Sequence, residues 1–151
     1  MPKILNIIIN PNPILRKKSI EIDRNKINSQ EMKEFCDDMS ETMIKKDGVG
    51  LAAPQVGKNI RFIVINIENK ITCMINPVIT KKSWAKESGE EGCLSVPDTF
   101  GKVKRHKKIK CLYYDNNGKK QTILAEKLTA RIIQHEIDHL DGILFIDYLG
   151  K

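Results

Sequence analysis

Two stretches of this chain repeat apolar residues at helical spacing, and several others carry strand-like runs. Met32, Phe35, Cys36, Met39 and Met43 recur every three to four positions, which predicts a helix capped by Ser29 and ending near Asp47-Gly48. Leu128, Ile132, Ile133 and Ile137 repeat the pattern. They predict a last helix that starts near Glu126, turns these side chains inward and closes before Gly142. Residues 60–67 and 71–75 read as a buried hairpin around Glu68-Asn69-Lys70. Residues 102–115 and 119–126 read as a second hairpin, turned by Asn116-Asn117-Gly118. Residues 4–9 suggest a short strand before the turn residues Asn10-Pro11-Asn12-Pro13, and Asn76-Pro77 reads as a break. The expected fold class is α+β: mainly antiparallel β-sheets packed around the C-terminal helix, with a second helix near the N-terminus.

That C-terminal helix carries the chemistry. Its Gln134-His135-Glu136-Ile137-Asp138-His139 places two imidazoles four residues apart, on one face and one turn from each other. Two such nitrogens can share a metal ion, with Glu136 beside it as a base rather than a ligand. A third ligand is needed. His106, the remaining histidine, lies in the basic run Lys104-Arg105-His106-Lys107-Lys108, which repels a divalent cation and suits a solvated strand position. Cys93, within Gly89-Glu90-Glu91-Gly92-Cys93-Leu94-Ser95, offers a soft thiolate suited to zinc or iron(II). A third segment, Gly48-Val49-Gly50-Leu51-Ala52-Ala53-Pro54-Gln55, is small and glycine-rich, fit for backbone lying close to a ligand. No Gly-Lys-Ser/Thr follows it, so it is not a phosphate loop.

Length and composition narrow the rest. A chain of 151 residues fits one domain, 1–151, with a proper core. No apolar run reaches membrane-spanning length, and the N-terminus lacks the pattern of a secretory signal. Cys36, Cys73 and Cys111 lie in apolar-patterned segments, where reduced core thiols are expected, and this fits a cytoplasmic protein. The +7 formal charge, 26 Lys+Arg against 19 Asp+Glu, favours polyanions. With one Trp, three Tyr and four Phe, composition alone gives no base-stacking surface, and the excess reads as solvated. On the residues alone three readings stand. They are a hydrolase with a Cys-His-His metal, an H-E-x-x-H metallopeptidase with another third ligand, and a basic RNA- or ribosome-binding domain with structural zinc. The last needs a fourth protein ligand.

Taken together and in order, Gly48 to Gln55, Glu91 to Ser95 and Gln134 to His139 resemble the three motifs of the peptide deformylases. Asn10-Pro11-Asn12-Pro13-Ile14-Leu15-Arg16 and Asp141-Gly142-Ile143-Leu144-Phe145-Ile146-Asp147-Tyr148 extend the resemblance over nearly the whole chain. It implies removal of the formyl group from the N-terminal formyl-methionine of new peptides. The implied metal ligands are Cys93, His135 and His139; Glu136 is the implied base and acid. Gln55 and the backbone N–H of Leu94 are the implied oxyanion donors. Gly50 and Gly92 would contact the peptide backbone, and Val49, Leu128 and Ile132 would form the methionine pocket. Glu91 and Arg105 match positions that pair as a salt bridge. The implied cofactor is one divalent ion, iron(II) in the cell, with zinc or nickel as substitutes in a purified sample. The implied partners are N-formylmethionyl nascent peptides, with ribosome proximity but no specific nucleic acid and no membrane, and a monomeric protein. The chain stops at Lys151, short of the helical extension of many bacterial members, as in the family's shorter forms, including those of phages.

Overall fold

In the computed structural model, which describes residues 1–150, one strand explains the layering of the whole molecule. Strand β2 (Phe62–Ile67) follows β1 (Gly50–Ala52) and is apolar on both faces. Its even and odd positions point to opposite sides, as in any strand. Ile63 and Ile65 enter one apolar cluster, and Phe62 and Val64 enter another. Strand β3 (Lys70–Lys82) divides likewise, with Met74 in the first cluster and Cys73 and Ile75 in the second. A sheet apolar on both faces needs cover on both, and two helices supply it. Helix α1 (Gln30–Lys45) packs Cys36, Met39 and Met43 into the second cluster. Helix α2 (Lys127–Leu140) packs Ala130, Ile133, Ile137 and Leu140 into the first. Each fully buried aliphatic side chain stabilises the fold by roughly 1.5–3 kcal/mol before entropy is counted.

The remaining strands are β4 (Lys86–Cys93), β5 (Val96–His106), β6 (Lys108–Tyr114) and β7 (Lys120–Glu126). The main sheet runs β1-β2-β3-β6-β7, antiparallel at every pairing, while β4 and β5 form a separate two-stranded sheet. Helix α1 begins where Ser29 accepts the N–H of Met32, and the chain turns left-handed at Asp47. Helix α2 stops at Gly142, whose φ of 75° is left-handed and where a Cβ would run into the Arg16 carbonyl. The expected α+β architecture is thus observed, with both helices where the apolar periodicity put them. No helix among the described residues is long and apolar enough to cross a membrane.

Five local expectations need correcting. Residues 4–9 are not a ladder strand; they lie extended, with the Leu5 N–H on Thr42 Oγ1 and the Ile8 N–H on the Gln55 carbonyl. Asn76-Pro77 does not break the chain, because a register irregularity in the β3–β6 pairing absorbs it. The span 102–115 is two strands of two different sheets, meeting at Lys107. Leu128 is exposed, because α2 has only begun there. Cys36 and Cys73 are not free core thiols but a disulfide between α1 and β3, Cα to Cα 6.2 Å, while Cys111 is buried and free. The same apolar pattern that buried both cysteines turned them towards each other.

Candidate metal centre

Helix α2 presents His135 and His139 on one face, one turn apart, both buried. Cys93 approaches from the end of β4, where the β4–β5 register shifts between Gly92 and Cys93. That shift re-aims the thiol, which reaches 3.3 Å from His139 Nε2. One ligand atom from each of Cys93, His135 and His139 lies within 4.8 Å of the others. A thiolate and two imidazoles suit zinc or iron(II), so the donor set fits one divalent ion of that kind.

Glu91 organises the surroundings. It accepts His135 Nδ1 at 2.8 Å, two Arg105 nitrogens at 2.9 Å each and Arg131 Nη1 at 2.7 Å. Holding Nδ1 fixes the ring and leaves Nε2 for a ligand role, the usual carboxylate–histidine arrangement of metal sites. Arg105 also pairs with Asp138, which accepts the Tyr148 hydroxyl at 3.1 Å. The expected Glu91–Arg105 pair is therefore present, inside a larger buried network.

These contacts set the charges. Burial pushes the Glu91 carboxyl up, but His135 and Arg105 outweigh it and bring it down to about 2. Burial works against a cationic His135, yet Glu136, Cys93 and Glu91 carry it up to about 10. Surroundings that favour a positive charge on that ring also favour a cation at its free nitrogen. His139 is driven well below the ordinary range by burial and then by His135 and Arg105, which leaves it neutral, the form that ligates.

Glu136 lies within the same wall. Burial raises its carboxyl to about 7 against the pull of His135, and Oε1 has no hydrogen-bond partner among the described residues. Gly50 makes room for it: a Cβ there would stand 2.5 Å from Glu136 Oε2. Gln55 is held by its carbonyl oxygen, which accepts the Ala52 N–H at 2.9 Å. Its amide NH2 is thereby turned to Ser95 Oγ at 3.1 Å and Cys93 Sγ at 3.5 Å. Beside these groups opens a cavity of about 470 Å³, lined by Val49, Gly50, Gly92, Leu94, Leu128 and Ile132 among others. All eleven residues singled out by sequence therefore converge, with His139 set just behind the cavity wall.

Three participants escaped the sequence reading. Arg131 stands one turn before His135, buried, and binds Glu91 and the carbonyls of Val103 and Glu87. An arginine among the inward positions of an apolar helix was its signal. Ser95 holds Gln55, and the Phe145 ring lies tilted beside that of His135, centroids 6.0 Å apart. Both lie inside motif segments quoted above, Glu91 to Ser95 and Asp141 to Tyr148, but the motifs by themselves assign neither a role. His106 is not a ligand; its Nδ1 lies 2.7 Å from the Ser83 carbonyl.

The comparisons agree with this geometry. The family model for polypeptide deformylase matches residues 4–151. The peptide deformylase of Brucella suis biovar 1 is 42% identical over 150 residues, covering 96% of this chain and 84% of that protein. That of Symbiobacterium thermophilum is 47% identical over 148 residues, covering 95% of this chain and 66% of its own. Among solved structures, the class I type b peptide deformylase of Acinetobacter baumannii bound to Met-Ala-Ser superposes with a TM-score of 0.96. It is 35% identical, with 99% of this chain and 100% of that one covered. The Thermotoga maritima peptide deformylase gives 0.94 at 39% identity, covering 98% and 99%. This chain belongs to the peptide deformylase family, metal-dependent hydrolases that remove the formyl group from the N-terminus of newly made peptides.

Proposed function

We propose that Cys93, His135 and His139 hold the catalytic ion, iron(II) in the cell, and that Glu136 moves the proton. The observation that carries this reading is the triad of ligand atoms within 4.8 Å beside a buried carboxyl at about 7. A divalent ion bound there would lower the pKa of a water and polarise the formyl oxygen. Glu136 takes the proton of the attacking water and returns it to the leaving amine; a carboxyl near neutrality suits both transfers. Gln55, its amide already turned towards Cys93, donates to the oxygen that becomes anionic, and so does the Leu94 N–H. One such donor lowers the barrier by ~3–4 kcal/mol. The products are formate and a free amino group.

In this reading the peptide lies extended along Gly50 and Gly92, and its methionine side chain enters between Val49, Leu128 and Ile132. The exposure of Val49 and Leu128 supports that role, since each offers apolar surface beside the cavity for an incoming side chain to cover. Residues 1–151 act as one catalytic domain, monomeric and close to the ribosome; the cytoplasmic placement then rests on the nascent-peptide substrate and not on the cysteines, two of which pair. Zinc or nickel would fill the same ligands in a purified sample.

The test is formate release from formyl-Met-Ala-Ser by anaerobically prepared, iron-loaded protein, beside Glu136→Gln. The parent should turn over, and the variant should lose ~10²–10⁴-fold in kcat while keeping its metal. A fully metallated variant that turns over like the parent would remove Glu136 from the proton-transfer role.

A further inference from the structure

The chain has a single tryptophan, and it is spent on the surface. Trp84 is 98% exposed, although an indole is among the side chains that gain most from burial. It stands at the corner where β3 leaves the five-stranded sheet and β4 enters the two-stranded one. The chain returns past the same place at Lys107, between β5 and β6. The two crossings are stitched together. The Ser83 N–H donates to the Lys108 carbonyl at 2.8 Å, and the Lys107 N–H donates to the Ala85 carbonyl at 3.0 Å. The Lys108 N–H donates to Ser83 Oγ at 3.1 Å, and the Lys127 N–H donates to the Lys107 carbonyl at 3.2 Å. The corner is also fastened to α2, where Gln134 exchanges hydrogen bonds with the backbone of His106. Trp84 is thus a ring on a fixed platform.

The platform is strongly basic. Lys81, Lys82, Lys86, Lys107, Lys108 and Lys127 come together here by strand register, corner contacts and the start of α2, and all are exposed. Nearby anions are Glu126, 3.9 Å from Lys108, and Glu87, opposite Arg105, so the balance stays positive. Composition alone argued against a base-stacking surface. The fold changes that by collecting cations from four separate stretches around the one indole.

We propose that this corner binds single-stranded RNA, with phosphates on the lysines and one base stacked on Trp84. Cations around an exposed aromatic ring are the combination that holds single strands without reading sequence. An anionic membrane would instead want the ring backed by apolar neighbours, and Trp84 sits in the chain between Lys82-Ser83 and Ala85-Lys86. The choice of RNA rests also on the reading above, since peptides still being made emerge from an RNA-rich machine.

Because Trp84 is the only tryptophan, its own fluorescence reports the contact. The metallated full chain is titrated with a mixed-sequence RNA dodecamer and, separately, with phosphatidylcholine–phosphatidylglycerol vesicles; variants are followed by anisotropy of labelled RNA. Quenching by RNA with Kd of roughly 10⁻⁶–10⁻⁴ M is expected, weakening steeply with salt. Trp84→Ala should lose about tenfold in affinity. The Lys82→Gln/Lys107→Gln pair should reduce the salt slope by about 1.4. Lys119→Gln/Lys120→Gln, about 20 Å away at the other end of the β6–β7 hairpin, should change little. An unresponsive Trp84, a response to vesicles alone, or an equal loss in the distant pair would each overturn the proposal. Formate release from free formyl-Met-Ala-Ser is measured on the same preparations and should be equal in all of them. Failure there, with RNA binding intact, would strike the deformylase reading and not this one.

Discussion

The two helices cover opposite faces of one sheet, yet they are built on opposite plans. Helix α1 buries Cys36, Met39, Thr42 and Met43 of its sixteen residues and leaves the rest to water or partial contact. Helix α2 buries ten of fourteen, and these include Arg131, Gln134, His135, Glu136 and His139. A helix of the first kind keeps its charged groups in water and is held by its apolar face, its Ser29 cap and the Cys36–Cys73 bond. The second kind takes ionisable groups out of water, which costs several kcal/mol per charge unless each finds partners. Glu91 is that partner for Arg131 and His135, the His106 backbone for Gln134 and the Cys93 thiol for His139, whereas Glu136 Oε1 has none among the described residues. The difference separates residues that hold the fold from residues that aim the site, and experiments can press on either side.

The largest expected effect falls on the second plan. Cys93→Ser should drop metal content well below one ion per chain and bring formate release to background, while the far-ultraviolet circular dichroism stays native. Full metal and activity in that variant would point to another third ligand. A matched pair sharpens the contrast. Glu91→Ala leaves Arg131 buried without its anion and Arg105 with Asp138 alone, and should cost about 3–5 kcal/mol of stability. It also frees His135, so metal affinity should fall ~10–100-fold. Met39→Ala on α1 should cost about 2–5 kcal/mol, but its folded molecules should bind metal and turn over like the parent. Denaturant melts and metal titrations on the two proteins would show whether stability and positioning separate in this way.

The smallest effect concerns pH. Burial pushes the Cys111 thiol from its ordinary value of 9.0 up to about 12. The folded chain therefore keeps a proton that the unfolded chain releases. This stabilisation is complete below pH 9 and is lost as pH rises through about 12. Denaturant melts between pH 8 and pH 11 should fall less steeply in Cys111→Ala than in the parent.

The same contrast explains what was legible in the sequence. Helix α1 could be read from period and cap, because its buried face is mostly an apolar stripe. The site could be read because each motif is local: His135, Glu136 and His139 share one turn and a half of helix, and Gln55 and Cys93 sit in compact glycine-rich segments. Strand β4 was not legible. Its sequence Lys86-Glu87-Ser88-Gly89-Glu90-Glu91-Gly92 has no apolar alternation, since its partner β5 and the Arg131 contacts hold it in place instead of a core. The division at Lys107 was hidden because β5 and β6 are continuous in pattern and part only in space. The Cys36–Cys73 bond was hidden because buried thiols look alike in sequence whether they meet or not.

The close fit of Gly50 against Glu136 also constrains how such a chain can change over generations. A side chain at position 50 forces the Glu136 carboxylate to move, so on the proposed roles a first substitution there should disable the protein before any second can help. Once Glu136 is shortened, the vacated space admits a larger residue at 50, and restoring the glutamate alone should then no longer restore the proposed base. Loss of activity by this route works as a ratchet. On the roles proposed above, a descendant carrying a side chain at position 50 should lack a working base, whatever remains of Cys93, His135 and His139.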